Sequence, residues 1–118
     1  MNKTSVVLSL VSSVVLLACG SSSSGVNRST KLSEATAADK MQFCEWQTDQ
    51  SGGARTVECD ANSSVTVGSV EACVSSWPIT SSCTIGIMED CYVSVEGNPC
   101  NFGASPACSA AIQCLLTR

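Results

Sequence analysis

Hydrophobic and polar positions divide the chain into an N-terminal leader and a patterned body. A basic start, Met1-Asn2-Lys3, precedes an apolar run of twelve residues from Val6 to Leu17 and a small-residue exit, Ala18-Cys19-Gly20. That order is the plan of a secretory signal peptide. As a helix the run would span roughly 18 Å, short of the roughly 30 Å hydrocarbon core, so no permanent transmembrane helix is expected. Gly20 to Gly25 holds only glycine and serine beside one another and has little reason to fold, the pattern of a tether.

The body follows in four helical stretches. Ser29 to Gln47 reads as the first, with a cap among Ser29, Thr30 and Ser33 and with Glu34 near its positive end. Ala37, Met41 and Cys44 share one face, and Phe43 and Trp46 form an adjacent i,i+3 pair. Thr48 to Arg55, with Ser51-Gly52-Gly53, reads as a turn, and Thr56 to Val67 as extended chain bent at Asp60-Ala61-Asn62-Ser63. A duplication comes next: Thr66 to Val74 matches Thr84 to Tyr92 as T-[VI]-G-x-[VM]-E-x-C-[VY]. Each copy reads as a glycine turn feeding a short helix. The apolar sets are Val70, Cys73, Val74 and Trp77, then Met88, Cys91, Tyr92 and Val95. Pro78 stops the first of these helices and Gly97 caps the second. The last helix starts at Ser105 with Pro106 in the first turn and carries Cys108, Ala111, Ile112 and Leu115 as its stripe. The expected architecture is mostly α, a small disulfide-stapled bundle of about four short helices with loops and little or no strand.

Composition narrows the function. At 118 residues the chain has room for one domain, and its formal charge of −4 disfavours nucleic acid as a partner. It has no histidine, which removes histidine-based triads and histidine-containing zinc sites. Nine cysteines mark an exported, stapled scaffold. Setting Cys19 aside leaves Cys44, Cys59, Cys73, Cys83, Cys91, Cys100, Cys108 and Cys114, an even set that reads as four disulfides of open pairing. No C-x-x-C occurs, against a thioredoxin-like, haem or paired-knuckle zinc site. Cys108 and Cys114 are about 120° apart on one helix and should bridge to different partners. Few aromatics are present, Phe43, Trp46, Trp77, Tyr92 and Phe102, so the bridges must offset a thin core.

Candidate chemistry is sparse. Serines abound without an evident base, and Lys31 and Lys40 are the lysines of the body. Glu58 with Asp60, or Glu89 with Asp90, could be drawn as a carboxylate pair, although solvated loops and first helical turns account for them more simply. Asp60, Asn62 and Ser64 alternate oxygens like a calcium loop but lack the glycine and closing glutamate of an EF-hand, and an ordinary turn suffices. Asn62-Ser63-Ser64 is a glycosylation sequon only in a eukaryotic setting. Trp77-Pro78 is the candidate partner contact, with Trp77 better explained as core. Asn98 to Gly103 is a second loop, best read as a turn tied by Cys100. Neither a metal nor a cofactor is expected, and the chain does not read as an enzyme.

Leu16-Leu17-Ala18-Cys19 resembles the lipobox of bacterial lipoproteins, which implies cleavage before Cys19 and lipidation of its thiol. Ala18-Cys19-Gly20 also reads as a small-x-small site for ordinary cleavage after Gly20. Gly20 in place of aspartate implies, within that family, sorting to the outer membrane. The stretch from Phe43-Cys44-Glu45-Trp46 through Val70-Glu71-Ala72-Cys73 and Glu89-Asp90-Cys91 to Cys108 and Cys114 resembles cysteine-rich myxobacterial lipoproteins, a likeness of scaffold that carries no activity. The expected organisation is a signal peptide at 1–18, a lipidated cysteine and tether at 19–30 and a disulfide-rich domain at 31–118. The expected role is a non-enzymatic, lipid-anchored envelope protein, in the outer membrane and facing the periplasm or the exterior. It would meet the membrane through Cys19 and another envelope component through its domain. The alternative is a secreted protease inhibitor or toxin-like effector.

Overall fold

The computed structural model describes residues 23–117. The leader, the lipobox and Cys19 lie outside the described residues. A single 3-10 turn at Leu32–Glu34 precedes α1 (Ala37–Gln50), and a hairpin of β1 (Arg55–Asp60) and β2 (Ser63–Val67) follows. Then come α2 (Val70–Ser75), α3 (Ile85–Ser94), a 3-10 segment at Pro99–Ala104 and α4 (Pro106–Leu116). The class is mostly α, as expected, with a small two-stranded antiparallel sheet added to the bundle.

Helix α1 begins later than Ser29 because Thr36, not the earlier hydroxyls, is its cap. The Thr36 side chain accepts the Asp39 N–H at 3.0 Å and Asp39 accepts the Thr36 N–H at 3.0 Å, a reciprocal capping box. The helix buries Phe43, Cys44 and Thr48, while Met41 is 44% exposed, so the apolar stripe is rotated away from the Ala37-Met41-Cys44 line. In the hairpin Thr56 faces Thr66 and Val57 faces Val65, and an irregularity between Glu58 and Asp60 marks a bulge at Cys59.

The two copies of the duplicated motif fold differently. In the first, Thr66 and Val67 finish β2 and Ser69 caps α2 by accepting the Ala72 N–H. In the second, Thr84 itself caps α3, so Gly86 lies inside the helix rather than in a turn before it. A Cβ on Gly86 would sit 3.0 Å from an Arg28 nitrogen. Glycine is there to let the N-terminal segment pack. That segment also supplies carbonyls to donors that the first turn of a helix leaves unpaired: Ile85 N–H donates to Thr30 O and Gly86 N–H to Arg28 O, both at 2.9 Å.

Consequently the packed body begins at Ser24, ahead of the boundary drawn at residue 31. Ser24 and Val26 are buried, and the stretch from Ser24 to Thr30 is a strap laid over α3 rather than tether.

Four disulfides join the elements. Cys44–Cys73 ties α1 to α2, Cys91–Cys108 ties α3 to α4, Cys83–Cys114 ties the approach to α3 to the end of α4, and Cys59–Cys100 ties β1 to the second 3-10 segment. Cys108 and Cys114 do take different partners. One core cluster gathers Val26, Leu32, Phe43, Cys44, Trp77, Cys83 and Ile85, and a smaller one Cys91, Val95, Cys108 and Ala111. Ser105 caps α4 with Pro106 in its first turn, as expected. The α4 stripe is narrower than expected, however: the arc from Cys108 through Ala111 to Cys114 turns inward, and Ile112 and Leu115 at its edge are 51% and 36% exposed.

Candidate functional site

An open cleft of about 440 Å³ lies where α1, α2, α3 and the end of α4 converge. Phe43 and Gln47 reach it from α1, Ala72, Cys73 and Ser76 from α2, Met88 and Tyr92 from α3, and Leu115 from α4, with Leu32, Trp77 and Pro78 closing one side. None of the described side chains lining it is charged. Its aromatic wall is a set of edge-to-face contacts, Phe43 on Trp77 at 5.6 Å and on Tyr92 at 6.2 Å between ring centroids. This volume and this balance of apolar wall and few polar groups are those of a small-molecule site.

Trp77 and Pro78, singled out as a projecting contact, are brought together here as cleft wall. Trp77 is 8% exposed and its indole N–H donates to Leu32 O at 2.8 Å. That bond also holds the Leu32–Glu34 turn in place, so the tryptophan is core first and cleft lining second.

Polar capacity in the cleft is mostly spent on the fold. Ser69 caps α2, and the Ser76 hydroxyl donates to Ala72 O at 2.7 Å. Two groups are exceptions. Gln47 Oε1 lies 3.0 Å from Sγ of Cys73, a sulfur that is bridged to Cys44 and carries no proton, so this is a packing contact and not a donated hydrogen bond. The Tyr92 hydroxyl has no hydrogen-bond partner among the described residues, although burial pushes its phenol above the ordinary value of 10.0. Both residues also border an adjoining hollow of about 210 Å³ under Val65, Val67 and Phe102.

The acidic pairs resolve differently from one another. Glu58 and Asp60 are exposed on the hairpin, and Asp60 accepts the Asn62 N–H at 2.7 Å. That bond, with help from the Ser63 hydroxyl, holds the Asp60 carboxyl below its ordinary 3.8. The Asp60, Asn62 and Ser64 run is thus a turn and strand start, its aspartate oxygen engaged with its own backbone. Glu89, expected on a solvated first turn, is instead in the middle of α3 and fully buried, because α3 starts at Ile85. It accepts the Ser24 N–H at 2.7 Å, the Ser24 hydroxyl, and an Arg28 guanidinium N–H at 3.2 Å. Arg28 turns its other nitrogen to Asp90 at 3.0 Å, and this hydrogen bond and charge raise its own pKa further. Glu89 with Asp90 is a clasp for the strap, not a pair of carboxyls facing a substrate.

Lys31 sits in an isolated bridge with Thr84, at the crossing of strap and α3. The Asn98–Gly103 loop is a 3-10 turn whose Pro99 is buried and whose Cys100 holds β1. Gln47 and Tyr92 were missed from sequence, since nothing marks a glutamine or a tyrosine whose hydrogen bonds the fold leaves unused. Comparison of the chain with protein-family models, with curated proteins and with solved structures finds no match.

Proposed function

We propose that the chain is a lipid-anchored cell-envelope protein whose stapled domain binds a partner molecule and performs no catalysis. The observation that carries this reading is one of parity. All eight cysteines of the body are bridged to one another, so Cys19, which stands where the lipobox resemblance places a lipid, has no cysteine left in the chain to pair with. An odd cysteine in an exported chain needs another fate, and acylation supplies one. The uncharged cleft supports binding, since it offers apolar surface and a few polar groups but no titratable pair for proton transfer. Outer-membrane placement belongs to this reading through Gly20.

The test is the intact mass of the protein from the membrane fraction, before and after reduction. An acylated chain beginning at Cys19 and eight hydrogens lighter than its reduced form is expected, from four bridges. A free chain beginning near Ser21 would overturn the anchor. That result would favour the secreted-inhibitor reading, for which Ile79, 65% exposed between buried Trp77 and Cys83, is the presented residue.

A further inference from the structure

We infer that the free edge of β2 and the hollow beside it take an extended, uncharged peptide segment of a partner protein, which joins the hairpin as a third strand and sends apolar side chains into the hollow and the cleft. This deepens the binding reading above and rests on it. Among the described residues β1 is the one strand paired with β2, so every second residue of β2 turns an N–H and a C=O outward with no strand to receive them. The two edges of the hairpin are not alike. β1 carries Arg55, Glu58 and Asp60 and the irregularity at Cys59, features by which an edge refuses a further strand. β2, Ser63–Val67, carries no charge, no proline and no bulge.

The hollow decides what that third strand carries. Its lining includes Val65, Thr66, Val67 and Gly68, consecutive residues from both faces of the strand, and no residue of β1, so it runs along the outer edge of β2. Gly68 also lines the main cleft, which makes the two spaces continuous. Its φ is not left-handed, and a Cβ there would meet nothing closer than the Ala72 Cβ at 3.5 Å, so neither backbone nor packing calls for glycine. Its effect is to leave the passage open. An added strand answers the outward backbone groups of β2, and its alternate side chains reach the hollow. No described side chain lining either space is charged, so a charged residue on that face would lose its hydration without compensation. A second copy offering its own β2 would pair five residues, about 17 Å of edge, which is too little contact for a stable dimer. A small molecule would fill the cleft and leave the edge unpaired.

The probe is the capped peptide Thr-Val-Thr-Leu-Thr-Val-Thr, titrated calorimetrically into the full chain as isolated. One saturable site per chain is expected, and exchanging the central leucine for aspartate should weaken it at least tenfold. Two backbone N-methylated versions, one modified on the three apolar residues and one on three of the threonines, test the edge itself. Successive N–H groups of a strand point to opposite sides, so one version should bind within about threefold of the parent and the other should not bind. Gly68→Leu should weaken the parent peptide at least tenfold. Ala72→Trp, on exposed α2 where it lines the cleft, should also weaken it and serves if the leucine variant does not form its four bridges. Equal effects of the two N-methylated versions, the aspartate peptide bound as well as the parent, absence of saturable binding, or wild-type binding by an oxidised Gly68→Leu would each overturn the proposal. So would a wild-type dimer in light scattering that Gly68→Leu dissociates, which would give the edge to a second copy. The mass of the same preparation reports the anchor independently, so an acylated protein that fails to bind counts against the peptide groove alone.

Discussion

Replacing Glu89 with glutamine removes one charge from a fully buried side chain while keeping its shape. In the native protein one carboxylate oxygen receives both Ser24 donors and the other receives Arg28. A glutamine must present N–H₂ either to Ser24, where donor then meets donor, or to Arg28, where it meets a cation. One side of the clasp is lost in either orientation and the other is weakened. Hydrogen bonds to charged groups contribute about 1.5–3 kcal/mol each. Removing one partner of a buried pair costs about 3–5 kcal/mol when the survivor stays buried. Here the Arg28 side chain is 54% exposed and regains water, so the cost falls below that range, at about 2–3 kcal/mol.

The strap should bear that cost first, because its remaining links to α3 are two backbone bonds and the exposed Arg28–Asp90 pair. Trypsin cleavage after Arg28 reads strap opening directly. At about 2.5 kcal/mol the open population, and with it the cleavage rate, should rise roughly 60-fold, alongside a lower urea midpoint of the oxidised protein. Asp90→Asn is the control: Asp90 is exposed, and its variant should change little. Unchanged cleavage and midpoint in Glu89→Gln would refute the clasp, and an Asp90→Asn effect of equal size would refute the dominance of its buried member, Glu89.

Removing the Cys91–Cys108 bridge by paired alanine substitution should cost about 3 kcal/mol in urea denaturation, from a loop separation of 17 residues. Trp77→Phe removes the indole donor from Leu32 O, leaving only the longer 3.4 Å bond from the Ala35 N–H, and should cost about 1–2 kcal/mol by the same assay. Asp60 has a lowered folded pKa, so its contribution to the hairpin is present above 3.8 and is lost as pH falls through the lowered value. Signals of Thr56 and Thr66 should therefore broaden or shift only below that point, and Asp60→Asn should remove the transition. Tyr92 is the single tyrosine, so phenolate absorbance reports it alone, and its midpoint should lie above 10.0 in the folded state and return there on unfolding. The sign follows: neutral Tyr92 is favoured by the fold, and that contribution is lost as pH rises through the raised value.

Local chemistry was legible in the sequence wherever the deciding residues are neighbours. Ser105-Pro106 announces α4, the Asp60–Ser63 bend was read although the strands pairing on either side of it were not expected, and the angle between Cys108 and Cys114 on one helix argues against a bridge from one to the other. The start of α1 was misplaced because Ser29, Thr30 and Ser33 offer equally good hydroxyls, while the deciding feature is that Asp39 answers Thr36. The duplicated motif misled for a longer-range reason. Its second glycine serves packing by Arg28, so identical spacing encodes a turn in one copy and a helix in the other. Burial of Glu89 depends on Ser24, 65 positions away, and no local pattern records that contact. The cleft is invisible for the same reason, since Gln47 of α1 and Tyr92 of α3 line it from distant parts of the chain.

Cys59–Cys100 crosses each of the other three bridges along the chain. Every peptide bond between Cys44 and Cys114 therefore lies within at least one covalent ring, and the stretch between Cys73 and Cys83 lies within the Cys59–Cys100 ring alone. A hydrolytic cut beside exposed Ile79 would add one water and release nothing, leaving two peptides joined by a single sulfur link. A cut at Arg28 lies outside all four rings and frees everything before it.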